Sequence, residues 1–155
     1  MVVQSNQGIS KTFLLALTCL ITLGCKDHGL ERKFLDQPPG SRVERLRRYS
    51  LAEQYRIFRY GMDTKEPPAM ELAGPIAERG SDAVPFLVNK LNADADDIAV
   101  RDIVLIFERM EASRSYSVRA DASLMSLLTS KVSKMKDNGW QDVCLKGLDR
   151  IRGAN

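Results

Sequence analysis

Apolar residues recur at helical spacing through most of this chain, and no segment alternates apolar and polar positions over the length of a strand. Ser50 and Glu53 stand in the S-x-x-E arrangement of a capping box. Behind them Leu51, Tyr55 and Phe58 fall on one face with Ile57 beside it, so a helix is expected to open at Ser50 and to end at Gly61. Ser41 and Glu44 repeat the capping arrangement just upstream. A further helix is expected from Pro67 and Pro68, carrying Met70, Leu72, Ala73, Ile76 and Ala77 to a stop at Gly80, with Pro75 kinking or splitting it. Ser81 can cap the next, whose inward positions are Val84, Leu87, Val88 and Leu91. After a polar turn over 92–97, Val100, Ile103, Val104, Phe107 and Met110 predict a longer helix from about Ile98 to Glu111. Leu124, Leu128, Val132 and Met135 predict another over roughly Arg119–Lys136. Asp137, Asn138 and Gly139 break it, and a last helix is expected to present Trp140, Val143, Cys144, Leu148 and Ile151. The fold class expected is all-α, built from short paired helices.

The N-terminal region reads differently. Thr12–Gly24 is an apolar run with no polar face, preceded by Lys11 and followed at once by Cys25 and a charged stretch. It is too short for a bilayer-spanning helix, which needs roughly 20 residues, and it suits the apolar core of an export signal. The end of the run, Ile21, Thr22, Leu23, Gly24 and Cys25, resembles the lipobox of bacterial lipoproteins, in which a small residue precedes an invariant cysteine. That resemblance implies cleavage after Gly24 and diacylglycerol on the Cys25 sulfur. Lys26, rather than Asp, follows the cysteine, which resembles the outer-membrane sorting class in a cell with two membranes. In a cell with one membrane the protein would sit on its outer face. The organisation expected is a signal peptide over 1–24, a flexible tether over 25–40 rich in charge and closed by Pro38, Pro39 and Gly40, and a helical domain over 41–155. Such a tether would let the helices work a few nanometres from the bilayer.

Composition narrows the partners. The chain has 23 basic and 20 acidic residues, and Lys11 alone among them lies in the signal. So balanced a charge argues against a dedicated nucleic-acid binder. Cys19 would leave with the signal and Cys25 would carry lipid, so Cys144 remains without a partner; its neighbours Val143, Leu145 and Leu148 suggest a small buried hydrophobe.

Within the helical part, Ala83–Met110 resembles one HEAT-type repeat. That family pairs a first helix of the form P-x-L-x-x-x-L with an acidic turn and a second helix beginning V-R. Here the matching positions are Pro85, Leu87 and Leu91, then Asp94 or Asp96, then Val100 and Arg101. Leu72–Gly80 resembles the tail of a preceding repeat. The resemblance implies a short HEAT-like superhelix or a compact bundle of about five or six helices, stabilised by packing between neighbours, and a concave surface of the kind that binds proteins.

Candidate chemistry is sparse. Asn92, Asp94 and Asp96 invite comparison with a calcium loop, but Asp97 stands where the sharp-turn Gly is needed and Ile103 where the bidentate Glu is needed. Helix capping by Asp96 or Asp97 explains the cluster. His28 is the single histidine, too few for a usual zinc site, and no nucleophile elbow or phosphate loop occurs. No catalytic residue, metal or cofactor is therefore assigned. Arg45, Arg48, Arg56 and Arg59 lie among aromatic residues; they read as a solvated basic face, or as a face that meets anionic headgroups or an acidic partner near the anchor. The function expected is that of a membrane-anchored lipoprotein, held through Cys25, whose helical domain is a non-catalytic protein-binding or scaffolding module. The alternatives are an immunity protein against an envelope-acting toxin or wall hydrolase and, further off, a carboxylate-dependent envelope hydrolase.

Overall fold

The longest apolar stripe in the sequence becomes the centre of the fold. The structure, a computed structural model, describes residues 28–93 and 95–153, so the apolar run, Cys25 and Asp94 lie outside the described residues. Eight α-helices and four 3₁₀ turns, with no strand, make up the described residues: α1 Gly29–Leu35, α2 Arg42–Leu46, α3 Leu51–Thr64, α4 Ala73–Ala77, α5 Val84–Asn92, α6 Asp97–Ser113, α7 Ala122–Ser133 and α8 Asn138–Arg152. Among them no helix is long and apolar enough to cross a membrane.

Helix α6 is buried over most of its circumference, through Val100, Ile103, Val104, Ile106, Phe107 and Met110. It packs against α3, α4, α5, α7 and α8, most extensively along α8. The acidic turn before it serves as a cap: the Asp96 carboxylate accepts the Ala99 N–H at 2.6 Å. Asp97 accepts the N–H groups of Lys136 and Asp137 at 2.7 and 2.8 Å, fastening the α7–α8 turn to the start of α6. Asp121 and Asp137 cap α7 and α8 in the same way.

At α3 the capping box is present: Ser50 accepts the Glu53 N–H, and Glu53 accepts the Ser50 N–H at 2.9 Å. The box expected at Ser41 does not form, because Ser41 donates to the Pro38 carbonyl and Glu44 pairs with Arg47 instead. Nor does Ser81 cap α5, which starts at Val84 after a 3₁₀ turn over Gly80–Asp82. Gly61 does not end α3, which runs on to Thr64. Its missing side chain makes room: a Cβ there would lie 2.9 Å from the Ala69 Cβ, so the incoming 65–69 segment docks directly on the helix.

The chief correction concerns the expected tether. Residues 29–35 form α1, with Phe34 and Leu35 buried against α3. Arg42 locks its end by donating to the carbonyls of Leu35 and Gln37 at 2.6 and 3.0 Å. The folded domain thus begins by His28 instead of Ser41. The helix count exceeds the expected five or six because α1 and α2 are short elements with too few turns to show a period.

Gly61→Val is expected to lose about 1–3 kcal/mol of stability by overpacking, whereas Gly40→Ala, where a Cβ meets nothing within 4 Å, should stay within about 0.5 kcal/mol of the parent. Urea denaturation of the three proteins checks the contrast.

Candidate functional site

Two facing helix stripes build an apolar groove. On α8 the residues Trp140, Val143, Cys144, Gly147 and Arg150 share one face, at spacings of three and four. On α6 Arg101, Val104, Leu105 and Glu108 do the same. Gly147 lets the two helices approach, since a Cβ there would lie 3.0 Å from a Val104 methyl. A third wall, from Met62, Pro68 and Met70, completes a groove of about 340 Å³. Its rim is unusually apolar: Met70, Trp140 and Val143 are 44, 37 and 44% exposed, on large side chains that a fold ordinarily covers. The groove's two ends are charged. At one, the Arg101 guanidinium lies 4.3 Å above the Trp140 ring, a cation–π stack. At the other, Arg150 meets Glu108 through two bonds of 2.8 and 3.0 Å.

Cys144 lies at the groove floor as a free, buried thiol. Loss of solvation pushes its pKa up from 9.0 to about 11, with Arg101 opposing the shift only in part. A protonated thiol in that position packs as an apolar group and does not attack. Among the described residues no group of three or more His, Cys, Asp or Glu side chains converges as a metal site.

The four arginines singled out in the sequence are divided by the structure. Arg45 and Arg48 are exposed on α2 and the turn after it. Arg56 and Arg59, on α3, instead line a separate polar cleft of about 660 Å³ between α1, α3 and Lys90 of α5. Arg56 donates to Glu31 at 2.7 and 2.8 Å, and Arg59 lies 3.1 Å from Asp102 and 3.9 Å from Asp96. Asp102 is completely buried, on α6, and also receives Arg101 at 2.6 Å. Arg101 is thus paired with its own neighbour Asp102 and stacked on Trp140. Cys25, the expected lipidation site, lies outside the described residues.

Sequence reasoning placed Trp140 and Val143 with Cys144, Leu148 and Ile151 on the inward stripe of the last helix. Only the latter three are buried. Gly147 was the available signal: a glycine inside a helix costs about 1 kcal/mol relative to alanine, so its presence marks a close approach. No family model matches this chain, and comparison with curated proteins and with solved structures finds no match either.

With Cys19 and Cys25 replaced by serine, Cys144 should react with a thiol reagent at pH 8 at least about tenfold more slowly in the native protein than in urea. Its folded pKa is raised, so the thiol's contribution to stability is fully present below pH 9.0 and is lost as pH rises towards about 11. Cys144→Ala should flatten that alkaline loss, as measured by denaturation between pH 8 and 11.

Proposed function

We propose that this chain is a lipid-anchored bacterial envelope protein whose helical domain is a non-catalytic binding module for a protein partner, docked in the α6–α8 groove. The anchor rests on the lipobox resemblance ending at Cys25. The observation that carries the binding role is the exposed Met70, Trp140 and Val143 triad around a groove already formed between two packed helices. Large apolar side chains held open beside arginines have the composition of binding hot spots. Met70 adds an adaptable wall.

Length and charge specify the occupant. From Trp140 to Arg150 the α8 wall runs about 15 Å, at 1.5 Å per residue, which suits some three turns of an amphipathic helix. Arg101, Arg109 and Arg150 against Glu108 leave the lining net positive. The partner segment therefore presents apolar residues at i, i+3 and i+4 with Asp or Glu beside them. The resemblance of Ala83–Met110 to a HEAT-type repeat supports this role, since stacked repeats of that kind build concave binding surfaces.

Two measurements test the reading. Cys25→Ser should abolish incorporation of labelled fatty acid and release the protein from membranes; unchanged membrane retention removes the anchor from the proposal. A photo-crosslinker at Val143 should give one discrete adduct in cells whose mapped peptide is apolar with acidic flanks, and Arg109→Glu should weaken it. The same adducts from a crosslinker at Lys33, far along the chain on α1, would overturn the groove as the docking site. An adduct to a toxic envelope enzyme that the complex silences would turn the binding role into that of an immunity protein.

A further inference from the structure

We infer that the polar cleft between α1 and α3 is a binding site for a neutral sugar. This rests on the cleft's own chemistry and is independent of the groove. At about 660 Å³ it falls within the roughly 300–1,000 Å³ range of small-molecule sites.

The charges lining it are already matched. Glu31 is held by Arg56, and Arg59 by Asp102. Asp63 and Lys90 remain, one of each sign, with the Lys90 ammonium lying 5.3 Å over the Phe86 ring. With Asp102 shared between Arg59 and Arg101, the cleft carries at most one net positive charge and attracts small ions weakly. What it leaves unsatisfied is hydrogen bonding. Glu31 is 1% exposed, and its Oε1 takes both Arg56 bonds while Oε2 is buried with no donor. His28 Nδ1 is buried without a partner as well. Buried acceptors of this kind are costly to leave unmade and are seldom left so.

A ligand that fits must donate to a carboxylate and donate to or accept from an imidazole a short distance away. A hydroxyl group does both with one atom, and a sugar carries several. The rings supply the rest. His28 and Tyr60 stack at 5.0 Å with 29° between their planes, and Tyr55 meets Phe86 edge-on at 5.5 Å. Half-buried flat rings beside paired carboxylates and guanidinium groups suit a ring that is apolar on its C–H face and polar on its rim.

The test titrates the full chain with N,N′-diacetylchitobiose, following tyrosine and histidine ring resonances by NMR, with glycyl-alanine and inorganic phosphate as rival probes. Saturable binding of the disaccharide that shifts the Tyr60 and His28 signals is expected. Glu31→Gln and Asp63→Asn should each weaken it about tenfold, the effect of one charge-assisted hydrogen bond. Asp63 is exposed, so its variant remains informative if Glu31→Gln fails to fold. The inference is overturned if the disaccharide gives no saturable response, if the zwitterion or phosphate binds more tightly, or if Asp63→Asn binds it as well as the parent does.

Discussion

One buried carboxylate constrains this molecule more than any other group. Asp102 has no exposed surface, and it sits on the helix that every larger element packs against. Taking its charge out of water costs several kcal/mol. Desolvation still raises its pKa above 3.8, although the guanidinium groups of Arg101 and Arg59 both oppose the shift. The two arginines therefore have little freedom to leave, because removing one partner of a buried pair typically destabilises by about 3–5 kcal/mol. Their fixed positions are what organise the surface. Arg101, held at 2.6 Å, offers its face to Trp140 and sets one end of the apolar groove. Arg59, held at 3.1 Å, forms a wall of the polar cleft. Two sites of opposite character share a single buried anion.

The same economy explains why the groove stays open. Helix α6 must be apolar nearly all round because neighbours approach it from several sides. Helix α8 meets it closely at Gly147, where the absent side chain brings the backbones together. Trp140 lies under Arg101 of α6, yet it and Val143 stay more than a third exposed on the groove side. Met70, on the far wall, follows the 65–69 segment that docks at Gly61. The groove is thus the space left between two well-packed contacts.

The elements legible in the sequence were those whose local chemistry and burial agree. Helix α6 shows itself because each of Val100, Ile103, Val104, Phe107 and Met110 is buried, so its period carries no exceptions. Helix α3 shows itself through a capping box that forms as written. The failures have a common cause, that packing partners far along the chain decide what a residue does. Gly61 has the look of a helix stop, yet its role is set by Ala69. Helix α1 has a single turn's worth of apolar residues, and its stability comes from α3 and from Arg42, not from its own pattern. Trp140 and Val143 sit on the same stripe as buried residues, yet they line the groove beside α6 and stay exposed. The polar cleft was invisible for the same reason: Glu31 and Arg56 are 25 residues apart.

Finding α1 folded also changes the geometry of the proposed anchor. With Cys25 lipidated, only residues 26–28 would separate the lipid from a helix whose Phe34 and Leu35 belong to the core. Three residues reach at most about 10 Å even when fully extended. A domain so held could not work a few nanometres from the bilayer, as a tether over 25–40 would allow; it would rest at the membrane surface with its α1 end inward.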